Sequence, residues 1–353
     1  MGLKELRDEI DRIDEEILSL LNKRVEVVLK IKEAKRKKGL ATYNPPREKE
    51  VYKRLLEKAR GPFPHSGIIP VYREIMSACL FAEAPLKVAY LGPEATFTHL
   101  AAKERFGSQP EFVPKRSIQD VFIEVEKGRA NYGVVPVESS TEGAVTHTLD
   151  MFIDSDLKIY SEILLEVSHS LLSNTELSKI TEIYSHPHAF SQTKGWLESN
   201  LKGVPCIEVS STSEGAKMAA KKKNGAAIAS TLAAEIYGLK IIAKGIEDNP
   251  KNITRFLVIG KDISEKTSND KTSILFSVKD RVGALYSMLE PFARHGVNLT
   301  KIESRPSKRQ PFEYVFFLDL QGHIKDKNVK EALKDLEERC LFLKVLGSYP
   351  KDG

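Results

Sequence analysis

Residues 3–38 read LKELRDEIDRIDEEILSLLNKRVEVVLKIKEAKRKK, a helical pattern without proline or glycine until Gly39, a natural C-terminal stop. A helix this long must pack along much of its length, most simply against a partner chain. Two cations interrupt its apolar stripe. Arg24 and Lys35 stand eleven residues apart, three turns, and so lie within about 20° of each other around the axis. The Leu, Ile and Val residues that flank them make this face apolar and at least partly buried. A buried cation needs an anionic partner, and the stripe itself offers too few carboxylates. The sequence therefore points to a ligand that carries carboxylates, and Arg47 and Glu48 continue the series of charged residues on the next helical segment.

Beyond this helix the pattern changes. A second helix follows Pro45-Pro46, where proline suits a first turn, and a third runs from the loop GPFPHSG through Phe81, giving an all-α domain over residues 1–84. From Leu86, short apolar strands (KVAYLG, YGVVPVE, EIYSHP, PCIEVSS, GAAIAS, RFLVIG) alternate with helical stretches such as SIQDVFIEVEKG and SEGAKMAAKKKNG. This alternation predicts α/β units with mostly parallel sheets over residues 85–262. The lysine-rich linker KDISEKTSNDK leads to residues 271–353. There, strand TSILFSVKD, helix GALYSMLEPFARHG, strands VNLTKIESRP and PFEYVFFLDLQGH, helix KNVKEALKDLEERC and strand FLKVLGSYP give βαββαβ, the ferredoxin-like α+β order. No fixed-period repeat or low-complexity tract is present.

Composition excludes several classes. A chain of 353 residues is too long for one core, and 41% hydrophobic with 29% charged residues suits a soluble globular protein. The start is acidic and amphipathic rather than a signal peptide, and no apolar run approaches the roughly 18 residues of a membrane span, so a cytoplasmic protein is expected. Cys79, Cys206 and Cys340 have no metal-binding or disulfide spacing. The net charge of +5 falls far short of the basic stripe that nucleic acid requires. KRKK and KKK are short and lie near helix ends, where they complement the dipole.

The helical block resembles the all-helical chorismate mutases, whose spacing of cations and acids recurs at Arg7, Arg24, Lys35, Arg47 and Glu48. The resemblance implies that Arg7 and Arg24 bind the two carboxylates of chorismate, Arg7 from the partner subunit. It sets Lys35 at the ether oxygen and Glu48 at the ring hydroxyl. Asn44 and Cys79 take substrate positions that are often aspartate and serine. Glu83 stands where some members have glutamine. Glutamine donates a hydrogen bond at any pH, whereas a carboxyl must be protonated to do so, so mutase activity should fall as pH rises and Glu83→Gln should flatten the profile. The chemistry suits these residues: an intramolecular rearrangement needs positioning of one conformer and stabilisation of charge on the ether oxygen. The bland alternative is a helical dimerisation module with solvated charges.

The middle block resembles prephenate dehydratases through GPEATFTHLAA (Gly92–Ala102), VVPVESSTEGAV (Val134–Val145), SHPHAFSQ (Ser185–Gln192), SSTSEGA (Ser210–Ala216) and NPKNITRFLVIG (Asn249–Gly260). The implied fold is two α/β subdomains facing across a cleft, and the implied reaction expels hydroxide and carbon dioxide from prephenate. Thr254 of the family's Thr-Arg-Phe motif orients or relays a proton, with Glu138 as its source if burial raises its pKa. Arg255 is either a carboxylate binder or a structural ion-pair partner. The same motifs imply substrate contacts at Thr96, Phe97, Ser139, Ser140, His188, Gln192, Ser211, Thr212, Asn252 and Phe256. Ala95 replaces the usual glycine, Ser139 a frequent asparagine and His188 a frequent glutamine. No glycine-rich phosphate fingerprint appears, and neither a metal nor an organic cofactor is expected.

The last block resembles the ACT regulatory domains. Gly283, Ala284 and Leu285 of GALYSML, with Glu303, Ser304, Arg305 and Pro306 of ESRP, match the two segments that bind phenylalanine in the family, in a site between two subunits. The three resemblances imply a multidomain enzyme: chorismate to prephenate in an all-α domain, then prephenate to phenylpyruvate in a two-lobed α/β domain. Feedback by L-phenylalanine and a homodimer or dimer of dimers are also implied. The rivals are an arogenate dehydratase on the same fold, a non-catalytic amino-acid-binding regulator, and a nucleic-acid-binding regulator, for which the charge pattern argues poorly.

Overall fold

The computed structural model describes residues 2–38, 42–279, 281–306 and 314–352. The helix stop expected at Gly39 and the first residues of the strand expected at PFEYVFF lie outside the described residues. The chain forms two compact units, Met1–Lys87 with Phe106–Glu111, and Val88–Arg105 with Phe112–Gly353.

Three helices make the first unit: α1 (Leu3–Lys38), α2 (Pro45–Lys58) and α3 (His65–Glu83). Asn44 caps α2, its side chain accepting from the Arg47 amide at 3.0 Å, and Pro45-Pro46 fill the first turn, where a missing N–H costs nothing. α3 starts inside the segment read as a loop, with Pro64 at its cap. On α1, Leu3, Leu6, Ile10, Ile13, Ile17, Leu20, Val27 and Ile31 remain 45% to 67% exposed. They are spaced alternately three and four residues apart, with Arg24 taking its own place in the series. That is the seam of a coiled coil, and within one chain it is uncovered.

The chain continues through β1 (Lys87–Leu91), α4 (Phe97–Phe106), β2 (Glu111–Lys115), α5 (Ile118–Glu126), β3 (Tyr132–Ser139), β4 (Gly143–Ala144), α6 (Thr146–Asp154) and β5 (Lys158–Glu166). It crosses at residues 167–169 into a second lobe. That lobe holds β6 (Ser170–Ser173), β7 (Glu182–Ser185), α7 (Pro187–Gln192), α8 (Lys194–Asn200), β8 (Cys206–Glu208), α9 (Thr212–Ala219), β9 (Gly225–Ala229), α10 (Thr231–Tyr237) and β10 (Lys240–Lys244). It then returns as β11 (Ile253–Gly260). The first sheet has the order β2-β1-β3-β11-β5 and the second β10-β6-β9-β7-β8.

Both sheets are mixed, which corrects the expectation of mostly parallel pairing. β1–β3, β7–β8 and β7–β9 are parallel, but β11 is antiparallel to β3 and β5, and β6 to β9 and β10. The double crossing is the reason: β3 and β5 run towards the second lobe, and β11 runs back from it between them. Ser117, Ser211 and Ser230 cap α5, α9 and α10 through their hydroxyls. At Gly215 a Cβ would come within 2.7 Å of the Tyr184 carbonyl oxygen, so only glycine lets α9 lie this close to β7.

The C-terminal domain is β12 (Asp270–Ser277), α11 (Ala284–Arg294), β13 (Leu299–Pro306), β14 (Tyr314–Gln321), α12 (Lys327–Glu337) and β15 (Phe342–Pro350), with sheet order β13-β14-β12-β15. This is the predicted βαββαβ fold. One face of its sheet packs under α11 and α12 through Ile274, Phe276, Met288, Phe292 and Leu336. The other face shares a core with the first lobe: Leu275, Val315, Phe317, Leu346 and Tyr349 pack with Phe122, Phe152 and Leu257. Burying each such side chain stabilises the fold by about 1.5–3 kcal/mol. A Cβ on Gly347 would collide with the Ile159 backbone, so this glycine lets β15 close on β5. Among the described residues no helix is long and apolar enough to cross a membrane.

Candidate active sites

The helical unit joins some of the residues singled out in its sequence. Lys35 Nζ lies 3.5 Å from Glu83 Oε1 and donates to the Thr42 carbonyl at 2.5 Å. Glu83 is only 4% exposed. Arg24 Nη1 is buried with no hydrogen-bond partner among the described residues, a costly state that an acceptor would relieve. Glu48 accepts from the hydroxyls of Tyr43 and Tyr52, each at 3.3 Å. Other expected contacts have local duties. Asn44 is a cap, Arg47 pairs with Glu50 at 2.9 Å on the exposed side of α2, and Cys79 is buried in α3. Arg7 is exposed and, seventeen residues from Arg24 on the same helix, lies about 25 Å from it along the axis. One chain cannot bring these two guanidinium groups to one ligand.

The second site lies between the two lobes, where β3 and β11 of the first face α7 of the second. Thr254, half-buried at the start of β11, stands opposite Ser139 on β3 and Leu165 on β5. Around it runs a polar network. Ser139 Oγ and Thr141 Oγ1 are 3.0 Å apart, Gln192 Nε2 donates to Thr141 Oγ1 at 3.4 Å, and Asn252 Nδ2 donates to Gln192 Oε1 at 3.3 Å. His169 Nε2 lies 2.7 Å from the same Gln192 oxygen. Among the described residues, the Thr254 hydroxyl has no partner. His188 on α7 contacts Glu142 on the β3–β4 turn, bridging the lobes at their exposed rim.

Several predicted contacts also make bonds that fix the chain around this cleft. Thr96 Oγ1 accepts from His99 N at 3.3 Å and donates to the Leu91 carbonyl at 3.2 Å, fixing the start of α4. Ser140 Oγ accepts from Ile253 N at 3.0 Å, Ser211 is a helix cap with Thr212 beginning α9, and Phe256 is fully buried beyond Thr254. Phe97 meets the His169 ring edge-on at 5.4 Å. His99 stacks on Tyr90, and its Nδ1 accepts from the Ala95 amide at 3.1 Å. Burial, then nearby Lys103, pushes the His99 ring down to about 4.

Arg255 and Glu138 belong to one cluster of ion pairs. Arg255 is buried and committed: Nε donates to Glu162 at 2.7 Å, Nη1 to Asp319 at 2.6 Å and Nη2 to the Tyr349 hydroxyl at 2.9 Å. Burial opposes its charge, but Tyr349, Asp319 and Glu162 outweigh burial and raise its pKa. These bonds make Arg255 an ion-pair partner that ties β11 to the C-terminal sheet. Glu138 lies 2.9 Å from Lys301 and 3.8 Å from Arg255.

In the C-terminal domain, Gly283, Ala284 and Leu285 line a groove of about 310 Å³ with Arg281, Tyr286, Tyr314 and Phe316. Glu303, Ser304, Arg305 and Pro306 do not line it; they lie on β13, an edge strand of the sheet. Arg305 instead reaches Asp150 on α6 at 3.3 Å. Sequence reasoning missed His169, Thr141 and Glu142 as site residues. The last two lie inside a quoted motif, whereas nothing in the local sequence marks His169.

Three family models match in order: chorismate mutase type II over residues 6–84, prephenate dehydratase over 88–264 and the ACT domain over 272–338. The bifunctional chorismate mutase/prephenate dehydratase of Aquifex aeolicus is 52% identical over 354 residues, spanning 99% of this chain and 98% of its own length. That of Pseudomonas aeruginosa is 44% identical over 356 residues, with the same coverage. Among solved structures, a prephenate dehydratase from Arthrobacter aurescens in complex with L-Phe superposes with a TM-score of 0.70 at 34% identity, covering 75% of this chain and 90% of the other.

Proposed function

Because this chain belongs to the bifunctional chorismate mutase/prephenate dehydratases, we propose where its two reactions and its regulator act. It is an enzyme with chorismate mutase, prephenate dehydratase and ACT domains in that order. Chorismate binds at Arg24, Lys35, Glu48 and Glu83, and Arg7 comes from a second copy. The uncovered seam of α1 supports this homodimer, since eight large apolar side chains in heptad spacing would otherwise face water. Lys35 meets charge growing on the ether oxygen, and the arginines hold the carboxylates in the reactive conformer.

Prephenate binds between the lobes. Its ring hydroxyl leaves as water after taking a proton, its ring carboxylate leaves as carbon dioxide, and the electron pair released aromatises the ring to give phenylpyruvate. Thr254 orients or relays that proton. The observation that carries this reading is its hydroxyl, unpartnered among the described residues, beside a network in which Thr141, Gln192 and Asn252 bond to one another and Ser139 to Thr141. L-phenylalanine acts as inhibitor at the groove beside Gly283 and Ala284, with β13 of a second copy closing the site across its free edge. These are small-molecule reactions, and we assign the protein to the cytoplasm.

Thr254→Ala should abolish phenylpyruvate formation and leave chorismate turnover intact. Offering arogenate beside prephenate tests the substrate, and dialysis against labelled L-phenylalanine tests the regulator. Undiminished phenylpyruvate formation in the variant would remove Thr254 from the site.

A further inference from the structure

We infer that His169 is a positioning residue of the dehydratase, holding the Gln192 amide so that its NH2 group faces the cleft. The inference rests on the reading that the cleft between the lobes is the dehydratase site. His169 is 2% exposed and sits where the chain crosses from β5 to β6. Its own backbone is pinned by the segment that leads from β10 back to β11: its N–H donates to Glu247 Oε2 at 2.7 Å, and its carbonyl accepts from Ile246 N at 3.1 Å. The ring therefore projects from a fixed point, edge-on to Phe97.

Its Nε2 lies 2.7 Å from Gln192 Oε1, which also accepts from Asn252 Nδ2 at 3.3 Å. A carbonyl oxygen has two lone pairs, and these donors fill both. The NH2 group must then point the other way, to Thr141 Oγ1 at 3.4 Å, beside Ser139. This requires the imidazole proton on Nε2. Nδ1 is buried with no partner, and a bare lone pair there is tolerated better than a stranded N–H. Burial keeps the ring neutral against the opposing pull of Gln192 and Glu247. Without the Nε2 donor the amide can turn over and present its oxygen to the cleft, where it would repel a bound substrate carboxylate.

Steady-state kinetics on the full chain test this. His169→Phe keeps the ring and removes the donor; kcat/KM for prephenate should fall roughly 10–100-fold, with chorismate turnover unchanged. His169→Gln, which restores an amide donor, should recover most of the loss. Adding His169→Phe to Gln192→Ala should cost nothing further, because His169 acts only through Gln192. Imidazole 15N shifts should show the neutral Nε2–H tautomer in the unsubstituted protein. Unimpaired prephenate turnover in His169→Phe, multiplicative losses in the double variant, or an Nδ1–H tautomer would each overturn the inference. If His169→Phe also loses the mutase, the tautomer decides. If Thr254→Ala still dehydrates prephenate, the cleft reading itself falls; if that variant is dead and His169→Phe is unimpaired, only His169 is misassigned.

Discussion

The sequence offers Arg24 as a binder of a substrate carboxylate and Arg255 as either such a binder or a structural ion-pair partner, and the fold treats the two in opposite ways. Arg255 bonds two carboxylates and a phenol from three strands, so its positive charge is spent inside the protein. Arg24 has a buried nitrogen with no acceptor among the described residues, on a helix whose apolar seam is uncovered. The difference separates a cation that builds structure from one that awaits an anion. It also separates a lobe complete in one chain from a helical unit whose Arg7 is one long helix stretch away from the site it should serve.

The sharpest way to break this contrast is to remove each guanidinium in turn. Arg255→Ala should destabilise the second unit by about 3 kcal/mol, the low end for breaking a buried pair. The low end applies because Lys271 still holds Glu162 at 2.7 Å and Ser273 still donates to Asp319 at 2.5 Å. Arg24→Ala should cost less than about 1 kcal/mol of stability, since no ion pair is lost, yet reduce mutase kcat/KM by on the order of 100-fold. Denaturant titration beside mutase kinetics checks both; equal destabilisation by the two substitutions would erase the distinction.

Solution pH sharpens it next, through the histidines buried in the second unit. In the second unit His99 is held at about 4, below its ordinary 6.5, so the unfolded chain binds the proton first. Its contribution to stability is therefore complete above 6.5 and is lost as pH falls towards about 4. His169 shifts in the same direction. His99→Gln, which retains an acceptor for the Ala95 amide, should flatten the fall of Tm over that window.

What was legible in the sequence was local or periodic. The switch from helical period to short strands marked the change from all-α to α/β fold, and the βαββαβ order of the last block needed only neighbouring segments. Lys35 and Glu83 were chosen from separate helices and do meet. What could not be read depended on distant pairing. Nothing near Arg255 announces Glu162, Asp319 or Tyr349, which lie 64 to 94 residues away along the chain. The antiparallel entry of β11 between β3 and β5 follows from a chain that leaves a lobe and returns, and hydrophobic period carries no sign of strand direction. His169 was invisible for a related reason: its value lies in a ring position set by two crossing strands, and VSHS has no pattern that reports it.

Ala95 is where a local departure noted in the sequence acquires a structural meaning, and it yields the smallest expected effect. The position is usually glycine in the family, and here the alanine has φ 67°, a left-handed conformation that costs an L-residue about 1–2 kcal/mol. The protein offsets it locally. Ala95 N donates to His99 Nδ1 at 3.1 Å, its carbonyl accepts from Ser230 Oγ at 3.0 Å, and its methyl is fully buried in the second lobe's core. Ala95→Gly relieves the strain but forfeits about 0.8 kcal/mol of methyl burial and a further 0.4–1 kcal/mol through the freer unfolded chain. These terms nearly cancel, so the change should stay within about 0.5 kcal/mol of zero. Ala227→Gly, in the same core cluster but on β9 with ordinary strand geometry, loses its methyl and entropy with no strain to relieve. It should cost about 1–2 kcal/mol. The gap between the two substitutions, read from denaturant midpoints at constant m, measures the backbone strain at Ala95. Equal losses would mean that His99 and Ser230 have removed the strain altogether.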